Sequence, residues 1–214
     1  DGLVWEDLSG AGSPIRDCAY GNDRFVGINK GPLYSSEGML WEMGTTNDTV
    51  NLMNSITYGN EKFVAVGNNG RVTTTTDGLS WESDLFVGGH NWYQVAHGGD
   101  RFVAIGDNGS IATSIDGAVW VHKQIGDGSR WDGVVYINEQ FIIGNGSQLM
   151  NSFDGRHWEL LSYSSVIPMI TIGNMIIGMG GNSLFQSLDG GYNWAQTYSF
   201  SAGLALRDAV FSNH

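Results

Sequence analysis

The sequence predicts an all-β propeller built from four-stranded antiparallel blades, with five blades favoured over six. Six tryptophans recur at spacings of 36, 40, 39, 38 and 36 residues: Trp5, Trp41, Trp81, Trp120, Trp158 and Trp194. Each closes a short box whose common form is Ser/Thr-x-Asp-Gly-x-x-Trp. A repeat of about 40 residues that holds several strands is typical of propeller blades or of a solenoid.

Each repeat carries four strand signals separated by turn residues. In the second repeat, residues 55–58 alternate toward a Gly-Asn turn, and residues 62–66 are apolar or β-branched. Gly67-Asn-Asn-Gly70 is a hairpin signal, because Asn and Gly tolerate the positive φ angles that tight turns need. Residues 71–76 are again β-branched, and Ser80-Trp-Glu starts the fourth strand. No stretch shows a sustained helical period.

The repeats divide the chain into blades of one domain, residues 1–214. Complete blades are predicted near residues 15–45, 53–85, 92–124, 131–162 and 167–198. Residues 1–8 resemble a fourth strand and residues 206–211 a first strand, so pairing of the two is expected to close the ring and to remove exposed sheet edges. A six-bladed ring with an incomplete blade and an open solenoid are the alternatives. Because the chain opens inside a box, it is expected to be part of a longer protein or a larger assembly.

Charge and cysteine content narrow the classes of partner. The net charge of −12 repels phosphate backbones and anionic lipid, so neither nucleic acid nor a membrane is an expected partner. No run of 18 apolar residues predicts a membrane-spanning helix. The single cysteine, Cys18, excludes an internal disulfide. Since its repeat counterparts are Ile56 and Val95, Cys18 is predicted to be a small core residue.

The boxes have a structural explanation. The Asp carboxylate can accept backbone N–H bonds across a tight turn, and the indole can fold into the gap between sheets. Glu37 replaces Asp in the first complete blade, which predicts a looser turn there. Carboxylates on separate blades cannot converge on one substrate, so these residues are interpreted as structural: Asp1, Trp5, Glu37, Trp41, Asp77, Trp81, Asp116, Trp120, Asp154, Trp158, Asp189 and Trp194.

This box pattern resembles the Asp-box (BNR-like) repeat of propellers such as sialidases, sortilin-type receptors and family-74 glucanases. The run from Tyr58 to Trp81 is similar to repeats of bacterial and bacteriophage tail-associated propellers. In those families the box is a structural turn and not a catalytic centre. The resemblance therefore implies a recognition protein that acts outside the cell, on a cell surface or on a virion.

Signals for catalysis are weak. A sialidase needs three converging arginines, yet Arg24 and Arg101 share one repeat position with Lys62 and are interpreted as solvated edge charges. No cofactor and no metal is expected, because the histidines lack ligand spacing and no phosphate-binding loop occurs. His97 is predicted to be a packed strand residue. Two carboxylates at a suitable distance could still support glycoside hydrolysis, which stays as an alternative.

Residues that break the repeat are the candidates for ligand binding. Two tryptophans stand just before first strands, where other repeats carry Ile, Met or Leu, and polar residues surround them: Asn91, Trp92, Tyr93, Arg130, Trp131 and Asp132. Indole faces beside polar groups suit sugar binding. The alternative interpretation is that both indoles cover gaps between blades.

The expected function is non-catalytic recognition of a carbohydrate or of a cell-surface receptor protein. A structural or assembly module of a larger complex is the first alternative, and a glycosidase-like enzyme is the second.

Overall fold

The computed structural model describes residues 15–28, 32–38, 41–43 and 53–200. These residues form five four-stranded antiparallel sheets arranged as a β-propeller, which confirms the predicted fold class. Helix within the described part is limited to two 3-10 turns, Asn68–Gly70 and Asp107–Gly109. The strands predicted at residues 1–8 and 206–211, and the box residues Asp1 and Trp5, lie outside the described residues.

In every blade, strands that follow one another in sequence are neighbours in the sheet. Blade 1 comprises β1 (Asp17–Gly21), β2 (Arg24–Ile28), β3 (Pro32–Ser35) and β4 (Glu42–Met43). Blade 2 comprises β5 (Met53–Gly59), β6 (Lys62–Gly67), β7 (Arg71–Thr75) and β8 (Leu85–Phe86). Blade 3 comprises β9 (Trp92–Gly98), β10 (Arg101–Gly106), β11 (Ser110–Ser114) and β12 (Val121–Gln124). Blade 4 comprises β13 (Gly133–Ile137), β14 (Gln140–Gly144), β15 (Leu149–Ser152) and β16 (Glu159–Ser162). Blade 5 comprises β17 (Ile167–Ile172), β18 (Met175–Gly180), β19 (Ser183–Ser187) and β20 (Ala195–Ser199).

The turn between the first and second strands explains why Asn recurs there. In blade 2, Asn60 and Glu61 both have positive φ angles, 46° and 60°. Two consecutive positive φ angles are the requirement of a tight two-residue hairpin whose twist matches that of the strands. Asn22 with Asp23, and Asn138 with Glu139, adopt the same conformation in blades 1 and 4. The local sequence therefore fixes where each first strand ends.

First strands of neighbouring blades contact one another and are joined by side chains. In blades 1, 2 and 3, a polar side chain near the start of the first strand accepts a backbone N–H group from the first strand of the next blade. The bonds are Ile56 N–H to Asp17 Oδ2 at 2.9 Å, Val95 N–H to Ser55 Oγ at 3.3 Å, and Val134 N–H to Gln94 Oε1 at 2.7 Å. These bonds fix the register between blades, which hydrophobic packing alone would leave free to slide.

Each seam between blades has its own apolar core. At the first seam, Val26 and Ile28 of β2 pack with Ile56 of β5, and the buried Trp81 joins them. The indoles of Trp120, Trp158 and Trp194 pack in the same way at the three following seams. Each of these four indoles thus lies against the blade that precedes its own. The prediction that the box tryptophans fill the seams is confirmed for these four.

Aromatic residues at the ends of first strands lie over glycines of the preceding blade. Tyr58 covers Gly21, His97 covers Gly59 and Tyr136 covers Gly98; a Cβ built on each glycine would lie about 2 Å from the ring. The prediction that His97 is a packed strand residue is confirmed. Burial lowers the pKa of His97, so the neutral ring is the form that packs here.

The prediction that Cys18 is a core residue is wrong, because its side chain is exposed. The counterparts Ile56 and Val95 are buried because each packs against the second strand of the preceding blade. Cys18 belongs to β1, the strand with which the described part of the ring begins. Burial of Ile56 and Val95 therefore depends on contact with the preceding blade as well as on repeat position.

Candidate functional site

The propeller has two faces that differ in sequence. Phe63 of β6 is paired with both Tyr58 and Thr75, so the turn after β5 and the box after β7 lie on the same face, here called the box face. The opposite face, here called the start face, carries the loops that lead into the first strands. It also carries the 3-10 turns that join second and third strands in blades 2 and 3.

On the box face, each box closes by hydrogen bonds within itself. In blade 2, Asp77 Oδ1 accepts the N–H groups of Leu79 at 2.8 Å and Ser80 at 2.9 Å. The Thr75 hydroxyl accepts the Gly78 N–H at 3.0 Å and donates to Asp77 Oδ1. Asp116, Asp154 and Asp189 make the equivalent bonds in blades 3, 4 and 5. These carboxylates are acceptors for their own turns, as the sequence predicts.

The bonds make the boxes sensitive to acid. Backbone N–H groups, that of Ser80 first, lower the pKa of Asp77, and those of Val119 and Ala118 do the same for Asp116. The N–H of Asn193 lowers the pKa of Asp189. Each folded carboxylate therefore stays ionised at a pH where the unfolded chain, with an ordinary pKa of 3.8, already binds a proton.

We expect the free energy of unfolding to fall as the pH drops below about 3.8, and to keep falling through the lower pKa values of the folded boxes. Urea unfolding midpoints at a series of pH values from 5 downward measure this. The variant Asp77→Asn/Asp116→Asn keeps acceptor oxygens but cannot titrate, so its midpoint should change less steeply with pH. An equal slope in both proteins would show that the boxes are not the groups responsible.

The boxes also join neighbouring blades, which corrects one expectation. Arg24 Nη1 donates to the carbonyl of Asp77 at 2.8 Å, and Lys62 Nζ donates to that of Asp116 at 2.8 Å. Arg101, which occupies the same repeat position as Arg24 and Lys62, forms an ion pair with Asp100 and lies against Gly155 of the next box. The interpretation of this position as solvated edge charge is wrong. In blades 1 and 2 this cation bonds a box carbonyl of the next blade.

On the start face, Tyr93, Arg130 and two aspartates form one cluster, here called the Tyr93 cluster. The Arg130 guanidinium lies over the Tyr93 ring, 4.7 Å from its centroid, and forms an ion pair with Asp132. The Tyr93 hydroxyl donates to Asp107 Oδ1 at 2.9 Å. The Arg130 side chain is 53% exposed, so its remaining donors face solvent. The structure thus brings together three of the predicted ligand residues.

The two tryptophans of the predicted site do not reach this surface. Trp92 and Trp131 are each 0% exposed and belong to the apolar cores of the second and third seams. Trp92 donates its indole N–H to the Val87 carbonyl at 3.2 Å, and His122 lies edge-on to its ring. Neither indole has a free face, so the expectation that they stack on a sugar is corrected. The alternative interpretation, that they cover gaps between blades, agrees with this burial.

Asn91 has a structural role in the loop before β9. Its side-chain oxygen accepts the N–H of Asn69 at 3.0 Å, and its carbonyl accepts the N–H of Asp107 at 3.1 Å. The residue thereby ties the 3-10 turns of blades 2 and 3 to one loop. It positions Asp107, and through Asp107 the hydroxyl of Tyr93.

Sequence reasoning missed a polar chain that runs along the start face beside the Tyr93 cluster. Arg16 Nη1 donates to Asn54 Oδ1 at 2.6 Å, and Asn54 Nδ2 donates to Asn68 Oδ1 at 2.9 Å and to the Trp92 carbonyl at 2.8 Å. A signal was available, because Arg16, Asn54, Tyr93 and Asp132 occupy one repeat position. All four are polar, whereas blade 5 has Pro168 at this position.

The Tyr93 cluster offers a guanidinium, a phenol and two carboxylates within one patch of the start face. Such a set can bind hydroxyl or carboxylate groups of a ligand in several directions. Among the described residues, no group of three or more His, Cys, Asp or Glu side chains is placed to hold a metal ion. In the same part of the chain, helices of a length and apolar character that could cross a bilayer are absent.

No protein-family model and no curated protein matches the chain. Several solved structures do. YCF48 bound to a D1 peptide superposes with a TM-score of 0.63 at 19% identity, over 85% of this chain and 66% of that one. The WD40 β-propeller domain of Doa1 gives 0.67 at 13% identity, over 88% and 69%. Virginiamycin B lyase from Staphylococcus aureus gives 0.69 at 13% identity, over 86% and 69%.

These similarities show the fold. Identities this low do not transfer a function, and the three proteins differ in kind, one being a lyase and another binding a peptide. The chain spans just under two thirds of the YCF48 structure, the first of those compared.

Proposed function

We propose that this propeller is a non-catalytic recognition module that binds a carbohydrate, or a glycosylated receptor, at the Tyr93 cluster. Half of the Arg130 side chain is exposed above a tyrosine ring that is itself held by Asp107. This is the observation that carries the proposal, because a preorganised guanidinium binds a ligand at a small entropic cost. The cluster also occupies positions where the repeat changes from blade to blade, as a specific site requires.

The buried tryptophans change what kind of sugar contact is proposed. With no indole face available, and with Arg130 over one face of Tyr93, recognition depends on hydrogen bonds more than on ring stacking. Sugars rich in hydroxyl and carboxylate groups fit such donors and acceptors. The box resemblance to tail-associated and receptor propellers supports a place for the module outside the cell, on a surface or a virion. As an Asp-box protein it would use its boxes for structure alone.

A glycan array tests this proposal with a matched pair of variants. Arg130→Ala should weaken binding by about tenfold or more, since it removes charge-assisted hydrogen bonds. Arg156→Ala is the control, because Arg156 is an exposed cation on the box face. The proposal gains support if wild type and Arg156→Ala bind the same glycans and Arg130→Ala does not. It is overturned if the wild type binds no glycan, or if Arg130→Ala binds equally well.

A glycosidase remains the second alternative because of one observation. Asp107 and Asp132 both belong to the Tyr93 cluster, one bonded to the phenol and the other to the guanidinium above it. Paired carboxylates are what glycoside hydrolysis requires. A panel of fluorogenic glycosides decides the matter: turnover by the wild type that is lost in Asp107→Asn and in Asp132→Asn would establish the enzyme, and no turnover would exclude it for those substrates.

A structural or assembly module is the first alternative, and the box face supports it. Large apolar side chains are exposed there at equivalent positions of three adjacent blades. This feature is separate from the Tyr93 cluster, so the two roles could coexist in one protein.

A further inference from the structure

The residue at the second position of the box is polar in blades 1 and 2 and apolar in blades 3, 4 and 5. It is Ser36 in blade 1 and Thr76 in blade 2, but Ile115, Phe153 and Leu188 in blades 3, 4 and 5. The three apolar side chains are 54%, 73% and 62% exposed. Neighbouring blades thus present an arc of large apolar groups on the box face, here called the apolar arc.

The box itself does not need these apolar side chains. Blade 2 closes the same turn with the exposed Thr76 at this position, and Thr76 uses its backbone carbonyl to accept the Asn22 side chain. Ile115 likewise uses only its carbonyl, which accepts Asn60 Nδ2 at 2.8 Å. Exposing an apolar side chain to water gives the fold nothing, so three adjacent exposures at equivalent positions indicate a surface for binding.

Carboxylates accompany the apolar arc. The turns between first and second strands end in exposed acids on four adjacent blades: Asp23, Glu61, Asp100 and Glu139. Asn60 of one such turn donates both to the Asp100 carbonyl and to the Ile115 carbonyl, so the acidic turns lie beside the boxes.

The cations of this face offset the acids only in part. Among the described residues, Arg24 and Lys62 are directed at box carbonyls, Lys123 is directed at the Arg156 carbonyl, Arg101 is paired with Asp100, and Arg156 is exposed on the box of blade 4. These cations are outnumbered by the four turn acids together with the four box carboxylates, Asp77, Asp116, Asp154 and Asp189. Glu61 and Glu139 therefore give the arc its acidic border. The whole chain, at a net charge of −12, has the same sign.

We propose that the apolar arc, bordered by Glu61 and Glu139, is a docking surface for a segment of a partner protein that carries Lys or Arg beside large apolar side chains. Charge complementarity selects this occupant, since acids at the rim attract a basic segment while the arc receives its apolar groups. A second copy of the same face would bring like charges together, and that juxtaposition opposes self-association. The proposal is independent of the sugar site on the start face.

A random peptide library displayed on phage provides the probe. Peptides selected on the wild-type protein should be enriched in Lys or Arg next to Leu, Ile, Phe or Trp. A synthetic copy of the leading peptide should bind Ile115→Thr/Phe153→Thr/Leu188→Thr at least about tenfold more weakly, as the loss of central apolar contacts predicts. The triple variant is expected to fold, because Thr is the native residue at this position in blade 2.

Two further variants separate the contributions. Glu61→Gln/Glu139→Gln leaves the apolar arc unchanged, and it should weaken the peptide and reduce the dependence of its affinity on salt. Tyr163→Thr is the control, since Tyr163 is 81% exposed but lies beyond the end of β16, away from the arc. Its affinity for the peptide should equal that of the wild type.

Several results would overturn the proposal. Selected peptides without basic residues would refute the partner chemistry, and equal binding by the triple variant would refute the site. Failure to enrich any peptide would do the same. If sedimentation showed a wild-type dimer that the triple variant does not form, the occupant would be a second copy and the proposed partner would be wrong.

Discussion

Trp92→Ala is expected to lower the free energy of unfolding by about 3–5 kcal/mol, the range for truncating a fully buried aromatic residue. Trp92 is 0% exposed, packs in the second seam with Val64, Val66 and Phe102, and donates to the Val87 carbonyl. Truncation would leave a cavity between two blades and an unpaired carbonyl. Urea unfolding, with the midpoint and slope compared with wild type, measures the loss.

The same variant distinguishes two interpretations of the sequence. A tryptophan on the rim of a sugar site would be removed without effect on stability, because exposed positions usually change the free energy of unfolding by no more than about 0.5 kcal/mol. Tyr163→Ala provides that reference, since its ring is 81% exposed. A change in Trp92→Ala as small as the change in Tyr163→Ala would contradict the burial described above.

Gly98→Ala should be almost as damaging, by about 3 kcal/mol, although it adds a single methyl group. A Cβ on Gly98 would lie 2.0 Å from Cγ of Tyr136 in the next blade, and real carbon atoms do not approach so closely. Because Gly98 is part of the strand β9 and ring atoms meet it directly, the two blades must move apart or Tyr136 must leave its position.

A double-mutant cycle tests that explanation. Tyr136→Ala removes the ring, so Gly98→Ala should cost much less in that background than in the wild type, with a coupling of about 1 kcal/mol or more. The chain carries its own precedent, since blade 4 has Ile137 where other blades have glycine, and blade 5 has Ile172 where they have an aromatic ring. Additive effects of the two substitutions would show that the ring and the glycine are not in contact.

The architecture could be predicted from local signals. Tryptophan spacing and the Asn-containing turns fix the length of the repeat and the ends of the strands, and both depend on residues close in sequence. The five four-stranded blades of the predicted fold class form because boxes and hairpins close within their own blade, as Asp77 and Asn60 illustrate. The strands predicted to close the ring lie outside the described residues, so ring closure remains a prediction.

The candidate site was less predictable because it depends on contacts between blades. Trp92 and Trp131 stand out in the sequence as aromatic exceptions, yet a residue that precedes a strand can point into a seam or into solvent. Only the position of the neighbouring blade decides which. Contacts between blades also explain two other wrong predictions. Cys18 was predicted to be buried from its repeat position, and its side chain is exposed. Arg24 was predicted to be a solvated charge, and its hydrogen-bond acceptor lies 53 residues away in sequence, in the next blade.

For polar residues, the side-chain chemistry predicts that a hydrogen bond or an ion pair will form, but it does not predict which residue is the partner. Arg130 and Asp132 are both predicted ligand residues and form an ion pair, whereas Asp107, which the sequence does not single out, bonds to the Tyr93 hydroxyl. The hydrogen bond from Tyr93 to Asp107 joins two segments that are 14 residues apart, and the sequence does not show that they are in contact. A series such as Arg16, Asn54, Tyr93 and Asp132, polar at one repeat position, is the signal that would have found the start-face chain.

Solvent exposure of the indoles, measured by fluorine NMR on protein labelled with 5-fluorotryptophan, tests most directly the claim that tryptophans fill the seams of the ring. The chain has eight tryptophans, and single Trp→Phe variants would assign their resonances. The resonances of Trp81, Trp92 and Trp131 should keep the same chemical shift when H2O is replaced by D2O, because their rings are buried. Shifts for these three as large as that of the free amino acid would place the rings in solvent and contradict the account.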